Sequence, residues 1–464
     1  MTRVPRDCDV LVIGGGNAAL CAAISARRSG AAVTLLEGAP RALRGGNARH
    51  SRNFRVMHPG PTPWTRGSYP AEDYRSDLDA VTDAATGAAA DGTLARMLIA
   101  DSAGIIDWMG RNGVRFQSGA DDCLPHSRKT AFFLGGGKAL VNALYTTAEG
   151  LGVAIHYDSE ACALHLKDGL PSVTVGHPKG LQVVRARAVV VASGGFQANR
   201  GWLRDEWGEA ADGFVIRGTP HATGTMLKAL LAEGAQPVGA AGHCHMVAVD
   251  GRSPGFDAGI VTRLDGIPHG IVVNRDGRRF ADEGSHTGPT RFSVWGDRVA
   301  RCPGGVAFSI FDAASEARFR PSIFPAIRAD GIGELAGKLG IDPAALEATV
   351  GSFNAALGSG GIGADGFAMG TEPPKTRLAA PLLVPPFGAY PVRAGVTSTC
   401  LGIRVDGKAR VLRDGGQPIC GVFAAGVIMA PNILGRGYLA GSAMSIGAVF
   451  GRIAGREAAA HALH

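Results

Sequence analysis

The hydrophobic pattern opens on Asp9-Val10-Leu11-Val12-Ile13, an apolar run without polar alternation. Such a run predicts a strand buried on both faces, as in a parallel sheet. Small residues from Asn17 through Ala26 and Arg28 predict a helix, and Ala32-Val33-Thr34-Leu35-Leu36 predicts a second strand ending at Glu37. Two more runs of the same kind, Ala188-Val189-Val190-Val191-Ala192 and Gly421-Val422-Phe423-Ala424-Ala425-Gly426, predict strands in the middle and near the C-terminus. A small-residue helix is expected from about Gly441 through Ala459, with Gly447, Gly451 and Gly455 at four-residue spacing. That spacing suits pairing of membrane helices, but Arg452 and Arg456 in the same turns favour close packing inside a soluble domain. From about 240 to 371 the pattern changes to shorter strand-like and helical pieces, ending in a Gly-rich stretch around Gly358 to Gly370.

Between the first strand and the first helix stands Gly14-Gly15-Gly16-Asn17-Ala18-Ala19, which reads G-x-G-x-x-A. In a βαβ unit these glycines allow a tight turn and the approach of a pyrophosphate to a helix N-terminus. Free N–H groups and the helix dipole favour an anion there, through Gly14, Gly16, Asn17 and Ala18. Glu37, closing the second strand, would accept hydrogen bonds from a ribose diol and repel a 2′-phosphate. The fold class expected is α/β. A Rossmann-like nucleotide-binding domain is built discontinuously from 1–240 and 372–464, with an inserted α+β capping domain at 241–371.

Composition narrows this only a little. The 464 residues include 69 glycines, about twice the usual ~7%, without the Gly-X-Y period of collagen. A formal charge of +7 favours anionic ligands. The basic residues are scattered, however, and aromatics make up 6%, so no nucleic-acid platform is expected. The eight cysteines contain no C-x-x-C pair, which argues against an iron–sulfur or zinc site on this chain. An apolar strand within nine residues of Met1 leaves no room for a signal peptide, and a reducing cytoplasm is expected.

Taken together, these residues resemble the flavoprotein family of fumarate reductases and succinate dehydrogenases, over nearly the whole chain. The resemblance is carried by G-x-G-x-x-A, the Gly45-Gly46-Asn47 turn, Ala192-Ser193-Gly194-Gly195-Phe196, and Ala222-Thr223-Gly224. The run Val273-Asn274-Arg275-Asp276-Gly277-Arg278-Arg279-Phe280-Ala281-Asp282-Glu283 and the C-terminal return add to it. Within the family the chain looks most like the FAD-dependent tricarballylate dehydrogenases. This rests on Arg44–His50, Gly135-Gly136-Gly137-Lys138-Ala139-Leu140, Gly259-Ile260-Val261-Thr262-Arg263-Leu264, Leu434-Gly435-Arg436-Gly437-Tyr438 and Ser445-Ile446-Gly447.

The resemblance implies FAD, with Gly45, Gly46, Asn47, Ser193, Gly194, Gly224, Gly426, Ser442 and Ala443 joining the motif residues around it. A helix starting near Gly441 can point its N–H groups at the flavin pyrimidine edge and stabilise the reduced ring. Membrane-bound members attach flavin through a His just ahead of the Gly-Gly turn; Arg44 stands there in this chain, so noncovalent FAD is expected. An acid substrate needs cations clamping its carboxylates and a group for proton transfer. By resemblance, His245 occupies a substrate-binding place, with His243 a weaker candidate. Arg436 and Tyr438 sit in the carboxylate-clamp loop, Tyr438 in register with the relatives' Arg. Proton transfer falls to Arg291, with His286 as runner-up and a relay through Glu283, since arginine is a poor base. Thr397-Ser398-Thr399-Cys400 replaces a His pair, keeping hydrogen-bonding capacity without charge.

The function expected is oxidation of a tricarboxylic acid, tricarballylate to cis-aconitate. Electrons would pass to a separate acceptor; the resemblance implies a membrane-bound iron–sulfur protein, which would hold a cytoplasmic enzyme at the inner membrane. A fumarate-reductase-like or 3-ketosteroid-dehydrogenase-like enzyme, and a noncatalytic FAD-binding module, stand as alternatives.

Overall fold

The computed structural model describes residues 4–82, 91–118, 127–166, 169–178, 180–287, 291–319, 322–363, 366–368 and 370–464. The opening apolar run becomes β1 (Asp7–Ile13), in which Val10, Leu11 and Val12 have no solvent exposure. Burying each such side chain contributes about 1.5–3 kcal/mol, which drives the strand to the centre of a sheet. α1 (Asn17–Arg28) and β2 (Val33–Leu36) complete the βαβ unit where the pattern places it. The strands that follow are β3 (Asn53–Arg55), β4 (Thr130–Phe132), β5 (Ala154–His156), β6 (Glu160–His165), β7 (Ser172–His177) and β8 (Gly180–Val191). Next come β9 (Val215–Ile216), β10 (Pro237–Asp250), β11 (Ile271–Asn274), β12 (Val306–Phe311) and β13 (Ile327–Ala329). The last are β14 (Phe387–Ile403), β15 (Arg410–Leu412) and β16 (Pro418–Ala424).

The chain divides into two compact units. The first comprises 1–199, 219–244 and 398–464; the second comprises 200–218 and 245–397. The first unit holds an eight-stranded sheet in the order β15-β16-β8-β1-β2-β5, with β7 on β8 and β6 on β7. Its centre is parallel: Val12 of β1 faces Leu35 of β2 and Val190 of β8, and Val422 of β16 faces Val189. The C-terminal helix, Ser442–Leu463, packs on α1, and the glycine spacing read from sequence lies in that contact. A Cβ at Gly451 would stand 2.5 Å from the Ala18 carbonyl oxygen, and one at Gly455 would collide with the carbonyl of Ala22. The glycines bring two helix backbones together, as close packing in a folded domain requires. Among the described residues no helix is long and apolar enough to cross a membrane.

The second unit is organised by β14, which pairs antiparallel with β12 and β13 and parallel with the short β9. The register sets Gly395 opposite Val215 and Val396 opposite Ile216. These pairings correct the boundaries expected from sequence. The segment 200–218, assigned there to the nucleotide domain, belongs to the second unit, which also extends to Thr397 rather than stopping at 371. Strand pairing through β9 and β14 outweighs the Gly-rich punctuation around Gly358–Gly370. The unit has its own core, including Trp295, Val299, Phe311, Tyr390 and Val392 in one cluster and Leu335, Leu346, Val350 and Phe353 in another.

Candidate active site

The nucleotide end lies wholly within the first unit. Gly14 takes φ +110°, and a Cβ there would come within 2.5 Å of the Ala192 carbonyl oxygen. Gly15, the variable position of the motif and not singled out from sequence, is equally constrained: a Cβ would collide with the Glu37 carboxylate and the Tyr145 hydroxyl. Glu37 is fixed by its partners. Its Oε1 accepts from the Ala39 amide (3.0 Å), and its Oε2 accepts from the Gly45 amide (2.9 Å) and the Tyr145 hydroxyl (3.3 Å). Burial and the Glu37 charge push the Tyr145 phenol well up, so it remains a donor.

Two helix N-termini here have no side-chain cap and no acidic residue in the first turn. α1 begins after Gly16, with Asn17 and Ala18 buried; the C-terminal helix begins after Gly441, at φ +81°, with Ser442 fully buried. Buried, uncapped first-turn amides fit an anionic acceptor, which the pyrophosphate and reduced flavin edge of FAD would supply. Asn17 Nδ2 donates to the Met444 carbonyl (2.9 Å), tying the two ends together. Gly426, at φ +83°, could carry a Cβ only 2.8 Å from that of Ala18. Gly45, Gly46, Gly194 and Gly224 all take positive φ, and Ser193 is half-buried beside Gly194. Asn47 Oδ1 accepts from the Thr219 amide (3.0 Å), and Ala443 is half-buried in the first turn of the C-terminal helix. The residues present therefore fit FAD. Arg44 donates to the Tyr157 hydroxyl (2.6 Å) and lies 4.2 Å over the Tyr145 ring, making it a brace for the Glu37 corner.

The chemistry-bearing candidates fall into two groups. In the first unit, Arg436 Nη1 meets His243 Nε2 at 2.9 Å, so the less favoured histidine is the one joined to the expected clamp. Arg55 supports the same loop: its Nε donates to the Ala440 carbonyl (2.9 Å), while its Nη1 pairs with Asp77 (2.8 Å). Tyr438 is half-buried, and Gly437 before it packs so tightly that a Cβ would collide with the Val81 carbonyl. Ser398 is half-buried on β14, and Thr399 Oγ1 accepts from the Phe196 amide (3.1 Å), a structural contact.

In the second unit, His245 is 7% exposed, and burial together with Arg217 and Arg263 pulls its pKa well below the usual imidazole value. It is therefore neutral at physiological pH. Thr397 Oγ1 accepts from Arg217 Nη1 at 2.7 Å, and Arg263 Nη2 pairs with Asp265 at 2.6 Å. Sequence reading missed Arg217 altogether. Its partner lies 180 residues away, and no local motif surrounds it.

Glu283, the expected relay, also lies in the second unit. Glu283 is fully buried; Arg279 engages both of its oxygens (3.0 and 2.6 Å), the Val272 amide donates to Oε1 (2.9 Å), and Lys375 stands 3.8 Å away. Its partner Lys375 is pushed down to about 8, chiefly by burial. His286 is exposed, with Nδ1 3.0 Å from Ser285 Oγ. Arg291 starts the helix Arg291–Ala300, and its side chain lies outside the described residues, as does Cys123.

A profile of the FAD binding domain family matches residues 9–443. A fumarate reductase (cytochrome) of Shewanella frigidimarina is 29% identical over 476 residues, covering 99% of this chain and 78% of that protein. A 4-oxocyclohexanecarboxylate 2-dehydrogenase of Sinomonas cyclohexanicum is 28% identical over 561 residues, covering 99% and 95%. Among solved structures, the open conformation of a flavocytochrome c3 fumarate reductase has a TM-score of 0.76 at 24% identity, covering 99% of this chain and 79% of that one. The chain thus belongs to the FAD binding domain family, and with fumarate-reductase-like flavoproteins as its relatives it is an FAD-dependent oxidoreductase.

Proposed function

We propose that this flavoenzyme oxidises a C–C single bond of a polycarboxylic acid, with tricarballylate to cis-aconitate as its reaction. The observation that carries this reading is the grouping of Arg217, Arg263 and the buried His245 in the second unit, where burial first, and then the two arginines, keep the imidazole neutral. A steroid has no use for two arginines, whereas carboxylates do. FAD, when bound, supplies the hydride acceptor. The chain's own task is to make a C–H beside a carboxylate acidic enough to lose its proton, which requires neutralising that carboxylate. Arg436, with His243 on its Nη1, is the clamp in this reading, and Tyr438, His245 and Ser398 are hydrogen-bonding partners for the acid. Arg291 remains the favoured group for proton transfer, ahead of the exposed His286, with a relay through Glu283. The cofactor is held noncovalently, because the position ahead of Gly45 carries the braced Arg44. A separate electron-acceptor protein would reoxidise the flavin, and could place a cytoplasmic enzyme at a membrane surface.

A second reading draws on the names of the relatives: reduction of an activated C=C bond, or dehydrogenation of a keto acid. One experiment separates them. Anaerobic addition of tricarballylate is expected to bleach the bound flavin more fully than succinate, 4-oxocyclohexanecarboxylate or a 3-ketosteroid. Bleaching by a ketone with none by any polycarboxylate overturns the proposal.

A further inference from the structure

The first turn of the C-terminal helix, whose free amides fit the reduced flavin edge, is gripped from behind by one strand residue, Arg55 of β3. Gly441, which precedes the helix, packs directly on the β3 backbone. A Cβ there would stand 2.7 Å from the Arg55 nitrogen and 3.0 Å from the Phe54 carbonyl carbon. Three bonds cross this contact. The Arg55 amide donates to the Gly441 carbonyl (3.4 Å), the Ser445 hydroxyl donates to the Arg55 carbonyl (2.6 Å), and Arg55 Nε donates to the Ala440 carbonyl (2.9 Å). One residue thus holds the chain just before the helix and again at Ser445 inside it. β3 is fixed in turn by β4, with Arg55 opposite Thr130.

The guanidinium is itself held. Its side chain is 5% exposed, and Nη1 donates to Asp77 Oδ2 (2.8 Å) and to the Tyr69 hydroxyl. The Tyr69 hydroxyl donates to the same Asp77 oxygen (2.7 Å), and Lys129 donates to both Asp77 oxygens (2.8 and 2.7 Å). Tyr69 and Tyr74 stack at 5.2 Å, with Arg55 Cζ 5.4 and 5.7 Å from their ring centres. Burial works to raise the Asp77 carboxyl, but Lys129, Tyr69 and Arg55 outweigh it and keep it below the usual carboxylate value. Asp77 therefore stays charged and anchors the planar fork, which spans Asp77 and Ala440 at once. Two cations share one carboxylate, so the cluster behind the turn is net positive.

We propose that Arg55 is a positioning residue for the flavin: by fixing the first turn of the C-terminal helix, it raises the reduction potential of bound FAD. The field of a helix N-terminus falls off within its first turn, so its effect on a ligand depends on where that turn is held. Reduced flavin carries the negative charge that such a field favours, and oxidised flavin does not. Loss of the grip, or of the positive charge behind it, shifts the balance in the same direction, toward the oxidised ring.

The test uses the FAD-loaded full chain and its Arg55→Met, Arg55→Lys and Ser445→Ala variants. The two-electron potential of the bound flavin is measured by anaerobic reductive titration against a reference dye, with Tm and FAD content recorded for each protein. Arg55→Met should weaken the preference for reduced over oxidised flavin by about 5- to 30-fold. On a two-electron couple that is a fall of about 20 to 45 mV. Arg55→Lys keeps the charge beside Asp77, but its compact ammonium cannot span Asp77 and Ala440 together, so its potential should lie between those of Arg55→Met and the parent. Ser445→Ala loses one bond to the turn and should lower the potential by less than Arg55→Met. A purely structural role would lower Tm and FAD content at the parental potential; that result in Arg55→Met, or a raised potential, overturns the inference. If Arg55→Met does not hold flavin, Arg55→Lys decides: a lowered potential supports the positioning role and a parental one overturns it. No substrate enters the titration, so its outcome is independent of which acid the enzyme oxidises.

Discussion

At the level of single residues, the site shows how partners redefine a side chain's role. Glu283 and Arg436 were both named from their place in a motif, yet the structure buries one among cations and leaves the other half-buried beside His243. If Arg436 clamps a carboxylate, Arg436→Ala removes a charge-assisted donor and costs about 2–4 kcal/mol of transition-state binding. That is a fall of roughly thirty- to a thousand-fold in kcat/KM. Arg436→Lys keeps the charge without the planar fork and should fall in between. Kinetics normalised to bound flavin check this; near-parental activity in the alanine variant moves the clamp to Tyr438 and His245. Arg217, by contrast, was not legible in the sequence. A guanidinium is interpretable only once its acceptors are known, and Thr397 and Gly259 reach it through tertiary pairing.

Among elements, legibility followed sequence distance. The βαβ unit was readable because β1, the glycine turn, α1 and β2 are contiguous and each obeys its own periodicity. The limits of the second unit were not, because β9 is two residues long and gains its place only by pairing with β14. The spacing of Gly447, Gly451 and Gly455 signalled close packing, and the fold supplies the surface: α1. This yields a prediction whose sign opposes helix propensity. Replacing a helical Gly by Ala ordinarily stabilises by about 1 kcal/mol. Gly351, in the helix Pro343–Gly360, has nothing within 4 Å of a new Cβ, and Gly351→Ala should raise Tm. Gly451→Ala would press a methyl against the Ala18 carbonyl oxygen and the Cys21 Cβ, at 2.5 and 2.9 Å. Overpacking costs about 1–3 kcal/mol, so Tm should drop. Thermal scans of the two variants, each against the parent, provide the comparison; stabilisation by Gly451→Ala would contradict the α1 contact.

For the molecule as a whole, the placement of every cofactor candidate in the first unit has a thermodynamic consequence. From Gly14 to Ala443 these residues are drawn from all three segments of that unit, whereas the second unit closes its own core around β12 and β14. A ligand that binds only the folded state stabilises what it touches, by about 2.7 kcal/mol when its free concentration is a hundred times Kd. Acid ammonium sulfate should release the flavin, because Arg44 replaces the histidine of covalent attachment. In the apo-protein, hydrogen exchange should accelerate at the α1 N-terminus, the Glu37 corner and the first turn of the C-terminal helix. β11 and β12, fully within the second unit, should keep their protection. Adding FAD back should restore the first group of amides alone. Equal loss of protection in both units on flavin removal would show that the cofactor supports the second unit as strongly as the first. Flavin that stays with the denatured chain would instead show a covalent bond, and Arg44 could no longer be taken as the reason for a free cofactor.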